Sequence, residues 1–396
     1  MSRCFLSVVM TSVAMVVSNR YDPDPRVHKE ATALLNAGYD IRVYAFDRFH
    51  EIGKGVTEID GIIVNRFQLD EPMKKGILGT KRGLDEFRKF VINELHNNPA
   101  EVVHCHDQDT CSIGQYWKKK GAAKCGLSKG IFIFDAHDFY WTWLLMPNPR
   151  SLWRKFGSFL LKRRDAKYAK QSDMVITPTE KRYDNPGFAE LYRELGCNVI
   201  TVWNSHPKVE KYPKLPEKFS IGYIGNIREF RMFELLIDAM KEVPEDKRPV
   251  LRIAGSGMVA KETNASLKKA GDELGIEIIS TGRYSTDEIS DLVSECTIMY
   301  CLYPPERGNI DRAMPVKLFD SVSHGRKVIA NNNSLMGDFV DYNKWGWTVE
   351  YDNPIKLAEI IVRAINTIND VEDMDNIPIW ESDSEILIDA YNQLFI

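Results

Sequence analysis

Short apolar runs along the chain alternate with longer stretches in which apolar residues recur three and four positions apart, and the alternation begins within the first twenty residues. "TSVAMVVSN" predicts a buried strand. In the following "DPRVHKEATALLNAG", Asp24 and Pro25 are cap and first-turn residues, Val27, Ala31, Leu34 and Leu35 form an apolar stripe, and Gly38 ends the helix. "DIRVYAF" predicts the next strand, and "EVVHCH", "IFIFDAH", "DMVITPT" and "NVITVWN" repeat the signal. Strand, helix and strand in succession mean a parallel α/β sheet. Arg3 ahead of an apolar run also fits a secretory leader, but the run is too short to span a bilayer and reads better as the first strand. Residues before Met10 are expected to be a loose extension.

"SHPKVEKYPKLPEKF", Ser205 to Phe219, carries three prolines and four lysines without apolar periodicity, which predicts a linker. The alternation then restarts. "FSIGYIGNI", "PVLRIAGSG", "IEIISTG", "CTIMYCLY" and "KVIANNN" predict strands, with helices at Met232–Val243, Ala260–Leu274, Thr286–Ser294 and Val316–His324. The chain therefore divides into a Rossmann-like doubly wound domain at 1–204, a linker at 205–219, a second such domain at 220–375 and a closing helix at 376–396. In that helix Ile386, Leu387, Ala390, Tyr391 and Leu394 fall at helical spacing, so it is expected to pack back on a domain face.

A length of 396 residues suits two domains. The net charge of -4 gives no global attraction to nucleic acid, and no nucleic-acid module is recognisable, so any anion site must be local. Seven scattered cysteines without paired spacing point to a reducing, cytoplasmic setting. One segment is locally basic. "RSLWRKFGSFLLKRRDAKYAK", Arg150 to Lys170, sets Trp153, Phe156, Phe159, Leu160 and Leu161 among Arg154, Lys155, Lys162, Arg163, Arg164 and Lys167, with Asp165 its one acid. That predicts a basic amphipathic helix able to lie on an anionic membrane surface, or else a buried apolar stripe with a solvated basic back.

In open parallel sheets ligands collect at the carboxyl ends of strands, which directs attention to the loops just after them. "VVHCHDQDTC", Val102 to Cys111, is dense enough in His, Asp and Cys to suggest a metal site, yet a strand places His104 and His106 on one face and Cys105 on the other. "YIGNIREFRMFELLIDA" puts Gly225 after a strand and Arg228 and Arg231 three apart at a helix start, where guanidinium groups and amides suit a phosphate, although two solvated arginines would look the same. "LRIAGSG" ends in Gly255 and Gly257, on its own no more than a tight turn. "RAMPVKLFDSVSHG" places Pro315 at a helix start, Lys317 in the first turn and Asp320 one turn on, a phosphate cradle or an exposed ion pair.

In their order these motifs resemble a retaining glycosyltransferase of family 4, with the two-domain GT-B fold in which two Rossmann-like domains face each other across a cleft. The resemblance runs from "DPRVHKEATALLNAGYDIRVYA" to the closing tryptophan-started helix. It implies a nucleoside diphosphate sugar as donor, a glycan or lipid-linked acceptor, and no essential cofactor or metal. In the family a glycine-arginine-lysine loop grips the diphosphate; here Gly225 is in place, Asn226 stands at the arginine position, Arg231 at the lysine position, and Arg228 is the expected compensation. The donor side further includes Gly255, Gly282, Arg283, Pro315 and Lys317. The family's ribose-holding glutamate falls on Asp320, which is one methylene shorter but still accepts hydrogen bonds, and its partner glutamate falls on Arg312, which does not. Branches with a Pro-x-Lys-x-Phe-acid motif match better than the family at large.

Within the resemblance "FDAHDFYW" supplies His137 as the histidine facing the donor sugar, while Arg231 and Lys317 stabilise the leaving diphosphate. "VVHCHD" then reads as a strand ending in a His-x-His-Asp turn, with His104 in the core and His106 and Asp107 at the cleft rim. Rival readings are a non-catalytic nucleotide-sugar-binding protein, favoured by Arg312, a sugar-nucleotide epimerase of the same fold, and a metal-dependent hydrolase built on His104 and His106. The expected location is cytoplasmic, peripheral on the inner face of the membrane.

Overall fold

The structure is a computed structural model and describes residues 10–22, 24–74, 76–145, 148, 150–305, 308–368 and 374–396. The expectation for residues 1–9 lies outside them. The chain forms two compact units: 1–178, 189–202 and 384–396 make the first, and 179–188 and 203–383 the second.

The first unit is built on β1 (Ser12–Val17), β2 (Asp40–Phe46), β3 (Gly55–Ile59), β4 (Ile62–Phe67), β5 (Val102–His106), β6 (Ile131–Asp135), β7 (Met174–Thr177) and β8 (Val199–Thr201). They lie in the order β3-β4-β2-β1-β5-β6-β7-β8, parallel except for β3. Every residue of β5, β6 and β7 is buried, as strands covered on both faces require. The hairpin of β3 and β4 was not expected. β3 is almost wholly exposed and gives no apolar run, although Asp60 and Gly61, both at positive φ, are the two-residue turn that marks such a hairpin. The Pro25–Asn36 helix starts as expected, with the Asp24 carboxylate accepting from the Arg26 and Val27 amides, and it buries Arg26 and Glu30 beside Val27 and Leu34.

The second unit carries β9 (Ser220–Ile224), β10 (Val250–Ala254), β11 (Ile278–Thr281), β12 (Ile298–Cys301), β13 (Lys327–Asn331) and β14 (Gly346–Val349). Their order is β11-β10-β9-β12-β13-β14, all parallel, which is the doubly wound pattern that reverses direction between β9 and β12. β14 was not expected either, since its four residues are mostly half-buried.

The expected boundary at 204 and 205 is crossed twice. Thr179–Phe188 joins the second unit, where Tyr183 stacks on Tyr342 at 4.5 Å and Asn185 donates to Asp338. Ser384–Ile396 joins the first, where Tyr391 is buried and bonds to His104 at 2.7 Å. In the closing helix, Trp380–Gln393, Leu387, Ala390 and Tyr391 are buried as expected, but Ile386 is exposed. The 205–219 stretch groups with the second unit, its Pro213 and Lys214 carbonyls accepting from buried Arg326.

Candidate active site

In the first unit the site grows from the ends of β5 and β6. His104 and His106 share one face of β5, their rings stacked at 4.2 Å. His106, expected at a rim, is buried, because both faces of this central strand are covered; Asp107 beyond it takes a positive φ and stays partly exposed. The buried carboxylate of Asp135 closes β6. Arg26 grips it through two nitrogens, Nε to Oδ2 at 3.2 Å and Nη2 to Oδ1 at 2.9 Å, and spends Nη1 on the Val202 carbonyl. The same Oδ2 lies 3.1 Å from His106 Nδ1 and 2.7 Å from His137 Nε2.

The electrostatics divide these groups sharply. Burial pushes Glu30 up to about 8, Asp135 beside it reinforcing the shift against Arg26. Asp135 itself stays well below the usual carboxylate range, because Arg26 and His137 outweigh the cost of burial. Burial also drives His104 and His106 down, so both are neutral. His137 goes the other way: burial opposes its charge, but Asp135 and Asp107 outweigh it and lift the imidazole to about 10.

Glu30, His104, His106 and Asp135 bring four potential ligand atoms within 4.8 Å of one another, so they are the residues that could hold a metal. A guanidinium already stands among them, with Arg26 Nε 3.1 Å from Glu30 and bidentate on Asp135, and a second cation would have to displace it.

In the second unit the site lies at the β9 and β12 ends, where the sheet order reverses. Gly225 has φ 151°, and a Cβ there would sit 2.8 Å from the Lys317 ammonium, so glycine is what lets the lysine reach this loop. At Gly255 a Cβ would lie 1.9 Å from the Gly225 carbonyl, and the Gly255 amide donates to both Thr281 and Gly282, which draws the β9, β10 and β11 ends together. Lys317 is half-buried, 3.7 Å over the Tyr223 ring and 5.4 Å from that of Tyr303. Burial pulls it down to about 7; Arg228 acts in the same direction and Asp320 opposes.

Pro315 is the cap of the Val316–Ser323 helix rather than its first residue, which puts Lys317 one position nearer the end. Burial raises the Tyr284 phenol, and the charge of Asp320 in that helix adds to the shift. Asn226, Arg228 and Arg283 are exposed in the loops, and Arg231 is exposed at the first position of the Arg231–Glu242 helix. Arg312 does not join the cradle, since its Nη1 donates to the Gly187 carbonyl and its own carbonyl accepts from Thr179. Sequence reasoning missed Tyr223 and Tyr303 around Lys317, and it missed the hold of Arg26 on Asp135.

The basic helix runs from Leu152 to Gln171. It is not amphipathic in the expected sense. Its buried side is Ser158, Asp165, Tyr168 and Ala169, while Leu152, Trp153, Phe156, Phe159 and Leu160 are exposed, Trp153 at 85% and Phe156 at 57%. No described helix is long and apolar enough to cross a membrane.

Residues 218–367 match the family model for glycosyl transferases group 1. No curated protein matches the chain in sequence. Among solved structures it is similar to a sucrose-phosphate synthase from Thermosynechococcus elongatus, at 13% identity over 97% of this chain and 99% of that one, with a TM-score of 0.72. Anabaena Alr3699/HepE in complex with UDP and glucose aligns at 14% identity over 97% and 98%, with a TM-score of 0.63. WaaG, a glycosyltransferase involved in lipopolysaccharide biosynthesis, aligns at 13% over 96% and 95%, with a TM-score of 0.60. At these identities the likeness is one of fold. Taken with the two doubly wound sheets and the glycine-opened loops, the matches identify residues 218–367 as a group 1 glycosyltransferase domain within a chain of GT-B fold.

Proposed function

We propose that the protein is a retaining glycosyltransferase that moves a sugar from a nucleoside diphosphate to a glycan or lipid-linked acceptor, without an essential metal. The observation that carries this reading is the approach of Lys317 to Gly225 at the reversal point of the second sheet. Held near neutrality, the lysine gains full charge when a diphosphate arrives, and Arg228 and Arg231 extend the positive surface. Asn226, Gly255, Gly282, Arg283 and Pro315 belong to the same donor side, and Asp320 accepts from the ribose hydroxyls. Retaining transfer passes through an oxocarbenium-like state with the sugar-phosphate bond largely broken. Lys317 and Arg231 stabilise the leaving diphosphate, and His137, a charged donor, orients the sugar. HepE, of similar fold, has been seen with UDP and glucose, which favours a nucleotide-sugar donor here.

The exposed aromatic and basic side of the Leu152–Gln171 helix supports docking on an anionic membrane surface, and with it a peripheral place on the cytoplasmic side and a role in polysaccharide biosynthesis. A thermal-shift screen of nucleoside diphosphates, then mass spectrometry with nucleotide sugars and candidate acceptors, tests the whole reading. Stabilisation by a diphosphate and transfer that persists in chelator are expected. Diphosphate binding without transfer or hydrolysis of any sugar would leave the non-catalytic alternative that Arg312 favours, and conversion of the donor without an acceptor would indicate an epimerase.

A further inference from the structure

Three donors converge on one buried carboxylate, and only one of them belongs to a side chain that also reaches solvent. Arg26 and His106 are 7% and 2% exposed, whereas the His137 side chain is 19% exposed. Its Nε2 lies 2.7 Å from Asp135 Oδ2, and its Nδ1, on the opposite side of the ring, is 3.9 Å from Asp107 Oδ2. We propose that Asp135 is a positioning residue for the transfer reaction: it takes up the Nε2–H of His137, fixes the ring plane, and leaves Nδ1–H as the single donor that His137 presents to a ligand. The proposal rests on the reading of His137 as the group that meets the sugar.

The neighbours enforce this arrangement. The Tyr391 hydroxyl lies 2.7 Å from His104 Nδ1, and burial keeps that ring neutral. His106 Nδ1 lies 3.1 Å from both Asp135 Oδ2 and His137 Nε2; with the His137 Nε2 proton directed at Asp135, the neutral His106 ring gives its own Nδ1–H to the same carboxylate oxygen, and its buried Nε2 makes no hydrogen bond. Neither ring competes for the charge. Arg26 holds Asp135 ionised through a bidentate grip that a neutral acid could not keep. The charged and titratable groups around His137 are therefore Arg26 and Glu30 of the first helix, His104, His106 and Asp107 of the β5 end, and Asp135 and Asp138 of its own segment, with Tyr391 behind His104. Asp135 is the acid in direct contact. A histidine so placed is a poor general base near neutral pH and a strong, oriented hydrogen-bond donor, as a sugar hydroxyl or a departing phosphate oxygen needs.

The test follows the His137 imidazole by NMR from about pH 6 to about pH 10 in the full-length protein, the resonance being assigned by its loss in His137→Gln. Wild type is expected to stay charged almost to the top of that range, and Asp135→Asn to titrate near the ordinary value of about 6.5. With the donor found by mass spectrometry, Asp135→Asn should lower turnover by about tenfold or more while donor KM moves by less than about threefold, with the alkaline limb of the pH profile displaced towards acid and partial recovery in Asp135→Glu. An unmoved His137 titration in Asp135→Asn overturns the proposal. So does a lost turnover with the ring still titrating as in wild type. If Asp135→Asn does not fold, a wild-type midpoint near about 6.5 overturns it alone. Full turnover in His137→Gln sinks the reading of His137 itself, and with it the proposal, whereas turnover lost in His137→Gln but kept in Asp135→Asn sinks only the role of Asp135.

Discussion

At the ends of β5 and β6, Asp135 takes bonds from Arg26, His106 and His137 beneath the surface, and most of its polar neighbours are buried with it. At the ends of β9 and β12, by contrast, glycines open the loops, Arg228, Arg231 and Arg283 are exposed, and Lys317 lies over aromatic rings with its charge suppressed. The first cluster already pairs its buried carboxylate with charged and neutral donors. The second holds positive charge that a phosphate would complete. Pre-organisation and ligand completion are two ways of stabilising charge in a transition state, and they leave different marks on stability and on binding.

The largest expected difference is in folding. Asp135→Ala strips the bidentate partner from buried Arg26, leaving it Glu30 at 3.1 Å, and should cost about 3–5 kcal/mol in urea denaturation, because a buried guanidinium loses two of its hydrogen bonds. Arg231→Ala, at an exposed helix start, should stay within about 0.5 kcal/mol. Equal costs would abolish the contrast.

The pH dependence of stability sharpens it, because the two regions have opposite signs. His137 is raised in the folded state to about 10, so its contribution is fully present below about pH 6.5 and is lost as pH rises towards 10. Lys317 is lowered to about 7 against about 10.4 in the unfolded chain, so protonation penalises the fold at neutral pH and the penalty is relieved as pH rises through the same window. His137→Gln should thus be most destabilising near pH 6 and progressively less so by pH 10. Lys317→Met should be stabilising near pH 7, with the gain shrinking towards pH 10, each by up to about 1.4 kcal/mol per pH unit. Slopes of the same sign in the two variants would show that one assignment is wrong.

Binding gives the next effect. Lys317→Ala and Arg231→Ala should each weaken a nucleoside diphosphate by about 1.5–3 kcal/mol in calorimetry, with less effect on the monophosphate. In wild type the affinity should fall as pH rises above about 7, since the lysine must then take up a proton to bind. Losses of a few tenths of a kcal/mol in both variants would remove the phosphate role.

The contrast also explains what the sequence made legible. Parallel strands buried on both faces must be apolar runs, so β1, β2, β5 to β7, β9, β10, β12 and β13 announce themselves, and the less buried β8 and β11 are still marked by Val and Ile, whereas exposed β3 and half-buried β14 carry no such signal. The approach of Gly225 and Lys317 was within reach of the sequence because each sits in a short motif, Gly225 directly after β9 and Lys317 in the first turn of the Val316–Ser323 helix. The Asp135 cluster was not, because its parts are Arg26, His106 and His137 from three segments, and Arg26 lies 109 positions from the carboxylate it holds. Arg26 could be read only as a first-turn residue of an amphipathic helix. The same limit placed His106 at a rim, since alternation tells which face it shares with His104 but not what covers that face. For the Leu152–Gln171 helix composition left open a membrane-surface helix and an apolar stripe turned inward, and the aromatic residues point out, which removes the second.

The smallest effect concerns Asp320, which tests whether the second region reads the sugar of the nucleotide as well as its phosphates. Asp320 lies one turn beyond Lys317 on the Val316–Ser323 helix, and its charge reaches Tyr284. Asp320→Asn keeps the size of the side chain and removes its charge, so a ribonucleoside diphosphate should lose about 1–2 kcal/mol while the matching deoxyribonucleotide loses less. Calorimetry on both ligands isolates the hydroxyl contact, because every phosphate term is common to the two. A carboxylate that served only to balance Lys317 would change both affinities by the same amount, and stability by less than about 1 kcal/mol. Equal responses would return Asp320 to the electrostatics of the helix and confine recognition in the second unit to the diphosphate.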